Sequence, residues 1–189
     1  MHSSSAFRDF VSELTRAVDE DPSESVVVPK ARRALATLLG QHDWLDPVFQ
    51  EPGDPYYRQY LLYRDPLDRF SVQSFVWGPG QSTPVHDHTV WGLVGVYQGA
   101  EKCQRYSRLT SGELVPDGDE QILAAGQIDH VSPSVGDIHT VRNAYDDRVS
   151  ISIHVYGADI GKVQRHVFDL KTGAVKPFVS GYSTPRAPS

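Results

Sequence analysis

From Ser5 to Asp19 the apolar residues Phe7, Phe10, Val11, Leu14 and Val18 recur at three- and four-residue steps behind serines able to cap a helix, which predicts an amphipathic helix. Pro29 stands where a first helical turn tolerates proline, and Ala31 to Leu39 supply helix formers closed by Gly40, so a second helix is predicted there. The segment QEPGDPYY, Gln50 to Tyr57, is dense in turn residues, and beyond it helical spacing gives way to short alternating runs. YLLYRD, FSVQSFVW, GLVGVYQG, KCQRYSRL, EQILAAG, VSISIHVYG and RHVFDLK follow one another with Gly, Pro, Asp or Asn between them, the pattern of an antiparallel sandwich or barrel. The chain therefore reads as one mainly β domain over residues 1–189: a small α-helical cap over 1–50, a β-barrel over 57–178 and a loose tail over 179–189.

Composition narrows the partners. At 189 residues, 39% hydrophobic and 22% charged, the chain can bury one substantial core. A net charge of −6 gives no general attraction to nucleic acid or anionic lipid, so neither partner is expected. The opening MHSSSAFRDFVSELTRAVDE places acidic residues where a secretory signal needs an apolar block, and no stretch is apolar for the length of a membrane span, so a cytoplasmic protein is expected. Cys103 is the single cysteine, which excludes an internal disulfide and a multi-cysteine zinc site and leaves metal binding to His or carboxylates. Nothing in the pattern selects an oligomeric state.

His86 and His88 flank Asp87 in GPGQSTPVHDHTVWG, and the two-residue period of a strand sends both imidazoles to one face. His139, in VGDIHTVRNA, needs only barrel closure to meet them, and three imidazoles suit a transition metal. A lone strand histidine is more often a hydrogen-bonding or surface residue than a ligand; it is the surrounding framework that sets these three apart. Gly80, His86, His88 and Gly99 resemble the first cupin motif, with Gly92 and Leu93 where its later glutamate usually stands, and Gly136, His139 and Asn143 resemble the second. The resemblance implies a cupin, that is jelly-roll, β-barrel. His2, His42, His130 and His166 lack such a framework and read as ordinary, and Cys103 reads as structural.

In VSISIHVYG, Ser152, His154 and Tyr156 alternate with Ile151, Ile153 and Val155. For an isolated strand the polar face would meet water, but a barrel with a metal inside needs a polar inner face beside it. Ser152, His154 and Tyr156 could then form a hydrogen-bonded row that holds a phenol near the metal.

The HDH pair, His139, and a Ser-x-His-x-Tyr run that begins thirteen residues later together resemble the cysteine dioxygenase family of thiol dioxygenases, from about Tyr57 to Asp169. The resemblance implies non-haem Fe(II) as cofactor, held by His86, His88 and His139, a small thiol and O2 as partners, and a sulfinic acid as product. It also implies that Ser152, His154 and Tyr156 are the catalytic row beside the iron. Three neutral ligands leave the iron's charge uncompensated, so that it can accept an anionic thiolate.

Two departures bear on the thiol. Animal cysteine dioxygenases carry, shortly after the HxH pair, a cysteine that crosslinks to the active-site tyrosine, whereas this chain reads Thr89-Val90-Trp91-Gly92-Leu93. They also place a carboxylate-binding arginine where Gln59 stands here, next to Arg58. Both features resemble the bacterial 3-mercaptopropionate dioxygenases, in which a later arginine binds the substrate carboxylate; Arg165 stands at the matching distance, with Arg142 and Arg58 as competitors. 3-Mercaptopropionate is thus the expected thiol, and cysteine, cysteamine and mercaptosuccinate are the alternatives. A cupin isomerase, a dioxygenase of carbon compounds and a non-enzymatic effector-binding cupin also fit the histidines alone.

Overall fold

A computed structural model of the chain describes residues 4–185; His2 and residues 186–189 of the expected tail lie outside the described residues. Helix α1 (Ser5–Glu20) begins at Ser4, whose hydroxyl accepts the Phe7 amide at 3.2 Å, and buries Phe7, Phe10, Leu14, Ala17 and Val18. Helix α2 (Glu24–Leu39) starts one and a half turns before the position the proline suggested, so Pro29 lies inside it rather than in its first turn. The lost backbone bond is outweighed by burial of Val27 and Val28 on one side of the proline and Ala31, Leu35 and Leu38 on the other, each large side chain contributing about 2 kcal/mol.

Twelve strands follow: β1 (Arg58–Arg64), β2 (Ser71–Trp77), β3 (Val85–His86), β4 (Gly92–Gln98), β5 (Ala100–Arg108), β6 (Leu114–Pro116), β7 (Gln121–Ala124), β8 (Ile128–Val131), β9 (His139–Asn143), β10 (Ser150–Tyr156), β11 (Arg165–Phe168) and β12 (Val175–Phe178). One sheet runs β1-β2-β10-β4-β8, and the other β12-β11-β3-β9-β5-β6 with β7 paired to β5. All the strand pairs are antiparallel, and the two sheets curl against each other as a jelly-roll barrel. Seven of the strands fall in the runs expected from alternation. The other five, β3, β6, β8, β9 and β12, are at most five residues long and carry too few positions to show a period.

The first sheet has two different faces. Val72, Val76, Leu93, Ile151, Ile153 and Val155 form a single core with Leu14, Leu35 and Leu38 of the helices. α2 lies so close over β4 that a Cβ on Gly95 would stand 2.7 Å from Leu39 Cδ1. The helices therefore cover the apolar outer face, and Ser152, His154 and Tyr156 point inward with Phe75 and Trp77. Beyond β12, residues 179–185 are fastened rather than loose: the Ser183 amide donates to Gln59 O at 2.8 Å, the Gln59 amide to Ser183 Oγ at 3.1 Å, and Tyr182 donates to Asp159. Polar tail composition hides these bonds because their partners lie on β1 and in the loop after β10. Among the described residues no helix is long and apolar enough to cross a membrane.

Candidate metal centre and active site

His86 on β3 stands directly opposite His139 on β9. β3 ends at His86, so strand pairing does not hold His88 in phase as the sequence pattern suggested. Asp137 does that instead: its carboxylate accepts the backbone amides of His88 at 3.1 Å and Thr89 at 2.9 Å. Asp87, between the two histidines, accepts the His166 amide at 2.6 Å and lies 2.8 Å from His166 Nδ1, which ties the same segment to β11.

The three rings meet, with centroids 4.9, 4.9 and 4.8 Å apart and one ligand atom from each within 4.8 Å of the others. All three are buried. Each Nδ1 is already engaged, with Pro84 O at 3.0 Å for His86, Asp137 O at 3.0 Å for His88, and Cys103 Sγ at 3.4 Å for His139. That leaves Nε2 as the free ring atom, and the carbonyl acceptors fix the Nδ1–H tautomer of His86 and His88 in the manner typical of metal-binding histidines. Burial lowers the pKa of His86 to about 4, and burial together with the neighbouring imidazoles holds His88 and His139 well below the usual range. Three neutral donors converging on one point fit a divalent transition metal; without a cation their lone pairs face one another at a cost.

Beside them runs the inward row of β10. Ser152 Oγ lies 2.8 Å from His154 Nε2, and His154 Nδ1 lies 2.8 Å from Tyr156 Oη. Phe75 stacks on His154 at 3.9 Å, burial drops that imidazole to a pKa of about 3, and burial pushes the Tyr156 phenol up, so both stay neutral. The Tyr156 ring stacks on His88 at 5.5 Å. Gly92 pairs with Tyr156, and a Cβ there would come within 2.6 Å of the phenol ring. Glycine at that position makes room for the tyrosine.

A cavity of ≈ 800 Å³ opens onto His86, His88, His154 and Tyr156. Arg165 and Gln59 line the same cavity. Arg165 is 4% exposed: one terminal nitrogen donates to Ser180 Oγ at 2.7 Å, the guanidinium lies 4.7 Å above the Phe178 ring, and Nε has no partner among the described residues. Among the described residues Arg165 joins no ion pair, and burial lowers its pKa. Gln59 is 7% exposed, with its side-chain Nε2 also unpartnered. Of the competing arginines, Arg142 is bound to Glu120 at 2.8 Å, and Arg58 lines the same cavity but is only half-buried.

Sequence reasoning passed over Asp137, Asp87 and Glu101, and treated Cys103 and His166 as bystanders. An acid next to a motif glycine was a readable signal for Asp137. Nothing local marked the others, because their partners come from distant strands.

A jelly-roll barrel with three neutral, converging histidines and a buried hydroxyl–imidazole–phenol row defines a cupin-type protein with a candidate three-histidine metal centre. The family model for cysteine dioxygenase type I matches residues 58–169, and the chain belongs to that family. Cysteine dioxygenase type 1 of Homo sapiens is 28% identical over 122 residues, covering 61% of this chain and 59% of that protein, and the Danio rerio protein is 27% identical over 124 residues with the same coverage. The chain thus matches 59% of the length of these curated relatives. Among solved structures, a protein with a double-stranded β-helix domain from Klebsiella pneumoniae superposes with a TM-score of 0.49 at 14% identity, over 72% of this chain and 96% of that one.

Proposed function

We propose that the chain is a non-haem iron(II) thiol dioxygenase that converts a small carboxylate-bearing thiol, 3-mercaptopropionate, and O2 into the corresponding sulfinic acid. The observation that carries the substrate class is Arg165, a buried guanidinium with no carboxylate partner among the described residues, facing a cavity that also opens onto the histidine cluster. Burying an unpaired charge costs several kcal/mol, more than the roughly 1 kcal/mol that a bond to a serine hydroxyl returns. An anionic substrate supplies the missing charge.

His86, His88 and His139 would hold iron(II), which when bound lets a thiolate and dioxygen meet with electrons passing from sulfur to oxygen. The thiol supplies all the electrons, RSH + O2 giving RSO2H, so no outside reductant is needed. Arg165 binds one end of the substrate through paired N–H donors, and the Gln59 amide adds a further donor, fixing the distance from carboxylate to sulfur. Tyr156 directs its hydroxyl at the reacting oxygen, and His154 and Ser152 hold that phenol in place. Phe75, Trp77 and Tyr57 wall the site against bulk water. Placement in the cytoplasm belongs to the same proposal, on the single unpaired Cys103.

Cysteine is the second reading, favoured by the relatives the chain matches. Against it, no Asp or Glu is among the described residues that line the cavity, so the α-ammonium of cysteine meets no counter-charge. Oxygen uptake with 3-mercaptopropionate, cysteine, cysteamine and mercaptosuccinate tests the choice, with catechols and sugar phosphates as controls for the other cupin chemistries. 3-Mercaptopropionate is expected to give the highest kcat/KM, and Arg165→Ala to lower it about a hundredfold. A variant that handles this thiol as well as the parent removes Arg165 from the role.

A further inference from the structure

The row on β10 does not end at Ser152. Glu101, on β5, is 1% exposed and packs its carboxyl against the Ser152 hydroxyl and the Trp77 indole. The Trp77 N–H donates to Ser152 Oγ at 3.2 Å, and Glu101 Oε1 has no hydrogen-bond partner among the described residues. Glu101 pairs across the sheet with Asn143 of β9 and Leu123 of β7, neither of them titratable. Its ionisable surroundings are Cys103 on its own strand and, through Ser152, His154 and Tyr156 on β10; β2 presents only Trp77. No lysine or arginine is among the groups acting on it. A buried acid that neutralises no cation and abuts a chain of three hydrogen-bonding groups requires a reason to be an acid.

We propose that Glu101 is the fourth member of the row and sets its polarity: a protonated Glu101 lets Tyr156 donate into the cavity, and an ionised Glu101 turns the phenol proton inward onto His154. With the acid protonated, Glu101 donates to Ser152, Ser152 to His154 Nε2, and His154 Nδ1–H to the Tyr156 oxygen, whose own hydrogen points outward. With the carboxylate ionised, Ser152 donates to Glu101, His154 Nε2–H to Ser152, and the phenol to Nδ1. The two states differ by one proton. Passing from the first to the second moves each bridging hydrogen one partner toward the cavity and releases the outer phenol hydrogen there, leaving the negative charge on Glu101 and no phenolate. Burial raises the Glu101 pKa to about 7, so both states are accessible near neutral pH. Glu101 is a positioning residue that touches no substrate and acts through Tyr156, and this role rests on the thiol dioxygenase reading.

Two measurements test it. In the iron-loaded enzyme at saturating thiol, kcat is expected to fall about tenfold per pH unit above an ionisation near neutrality, because only the outward phenol is productive. Glu101→Gln keeps the shape and cannot ionise, so that limb should vanish; Ser152→Ala leaves the acid but cuts the chain, and should remove the limb as well. Independently of turnover, infrared spectra of the metal-free protein between about pH 5.5 and about pH 8.5 should show one protonated carboxyl band that titrates, present in the parent and in Ser152→Ala and absent from Glu101→Gln. A limb that persists in either variant overturns the proposal, as does the absence of a titrating band. If the band titrates as described but no thiol is oxidised, Glu101 stands as the titrating acid of the row, while its effect on turnover and the proposed function fall together.

Discussion

Tyr156 is held in place by two residue-scale constraints, a hydrogen bond from behind and a missing side chain in front. The bond is the 2.8 Å contact with His154 Nδ1, and the missing side chain is that of Gly92. Tyr156→Phe removes the hydroxyl and nothing that holds the metal, so turnover should fall about a hundredfold while iron content, read by elemental analysis, stays near that of the parent. Loss of iron in that variant would mean that the phenol supports the metal directly. Gly92→Ala places a methyl 2.6 Å from the ring, which must then shift; a similar loss of turnover is expected with secondary structure by circular dichroism unchanged. The convergence of His86, His88 and His139 and the hydrogen-bonded row of β10 were legible because each lies in a recognisable local spacing. Cys103 Sγ against His139 and Glu101 behind Ser152 were not, because both contacts cross between strands far apart in sequence.

At the scale of elements, the short strand β3 and the segment after it depend on what grips them. Two residues of pairing cannot set the aim of His88, and Asp137 from the loop before β9 supplies the grip. Asp137→Ala frees two backbone amides and should weaken iron binding by about 10- to 100-fold in a competition assay with a chelator, with the barrel's unfolding cooperativity retained. The segment after β12 also lines the cavity, where Ser180 holds Arg165 and Ser183 pairs with Gln59. Ser180→Ala leaves a second guanidinium nitrogen unpartnered and should raise KM several-fold for a carboxylate thiol, with kcat little changed and cysteamine oxidation unaffected. The strands with long alternation were readable, whereas α2 began early because packing against β4 outweighs the local cost of Pro29.

For the molecule as a whole, concentrating neutral histidines in the barrel couples stability to pH. The folded-state pKa values of His86, at about 4, and His154, at about 3, lie below the unfolded value of 6.5, and those of His88 and His139 are lowered too. Their unfolded forms take up protons that the folded ones refuse. Metal-free protein should therefore lose stability as pH falls from 6.5 toward 4, by up to about tenfold in the unfolding equilibrium per pH unit for each histidine. Denaturant melts at stepped pH check the slope. Bound iron should shift the onset lower, since the metal competes with protons for the same nitrogens.

Periodicity and short motifs already carry the helical cap, the change to short strands near Tyr57, the two histidine motifs and the Ser-His-Tyr alternation, because each is written within a few neighbouring residues. The docked fold separates alternatives that spacing left open, the inward face of β10 and the arginine buried without an acid among the described residues, and it adds how residues 179–185 pack along the cavity and which carboxyl stands behind Ser152. Those outcomes depend on where the second sheet and the helices dock, and charge compensation and solvent exclusion exist only between segments that the chain order keeps apart.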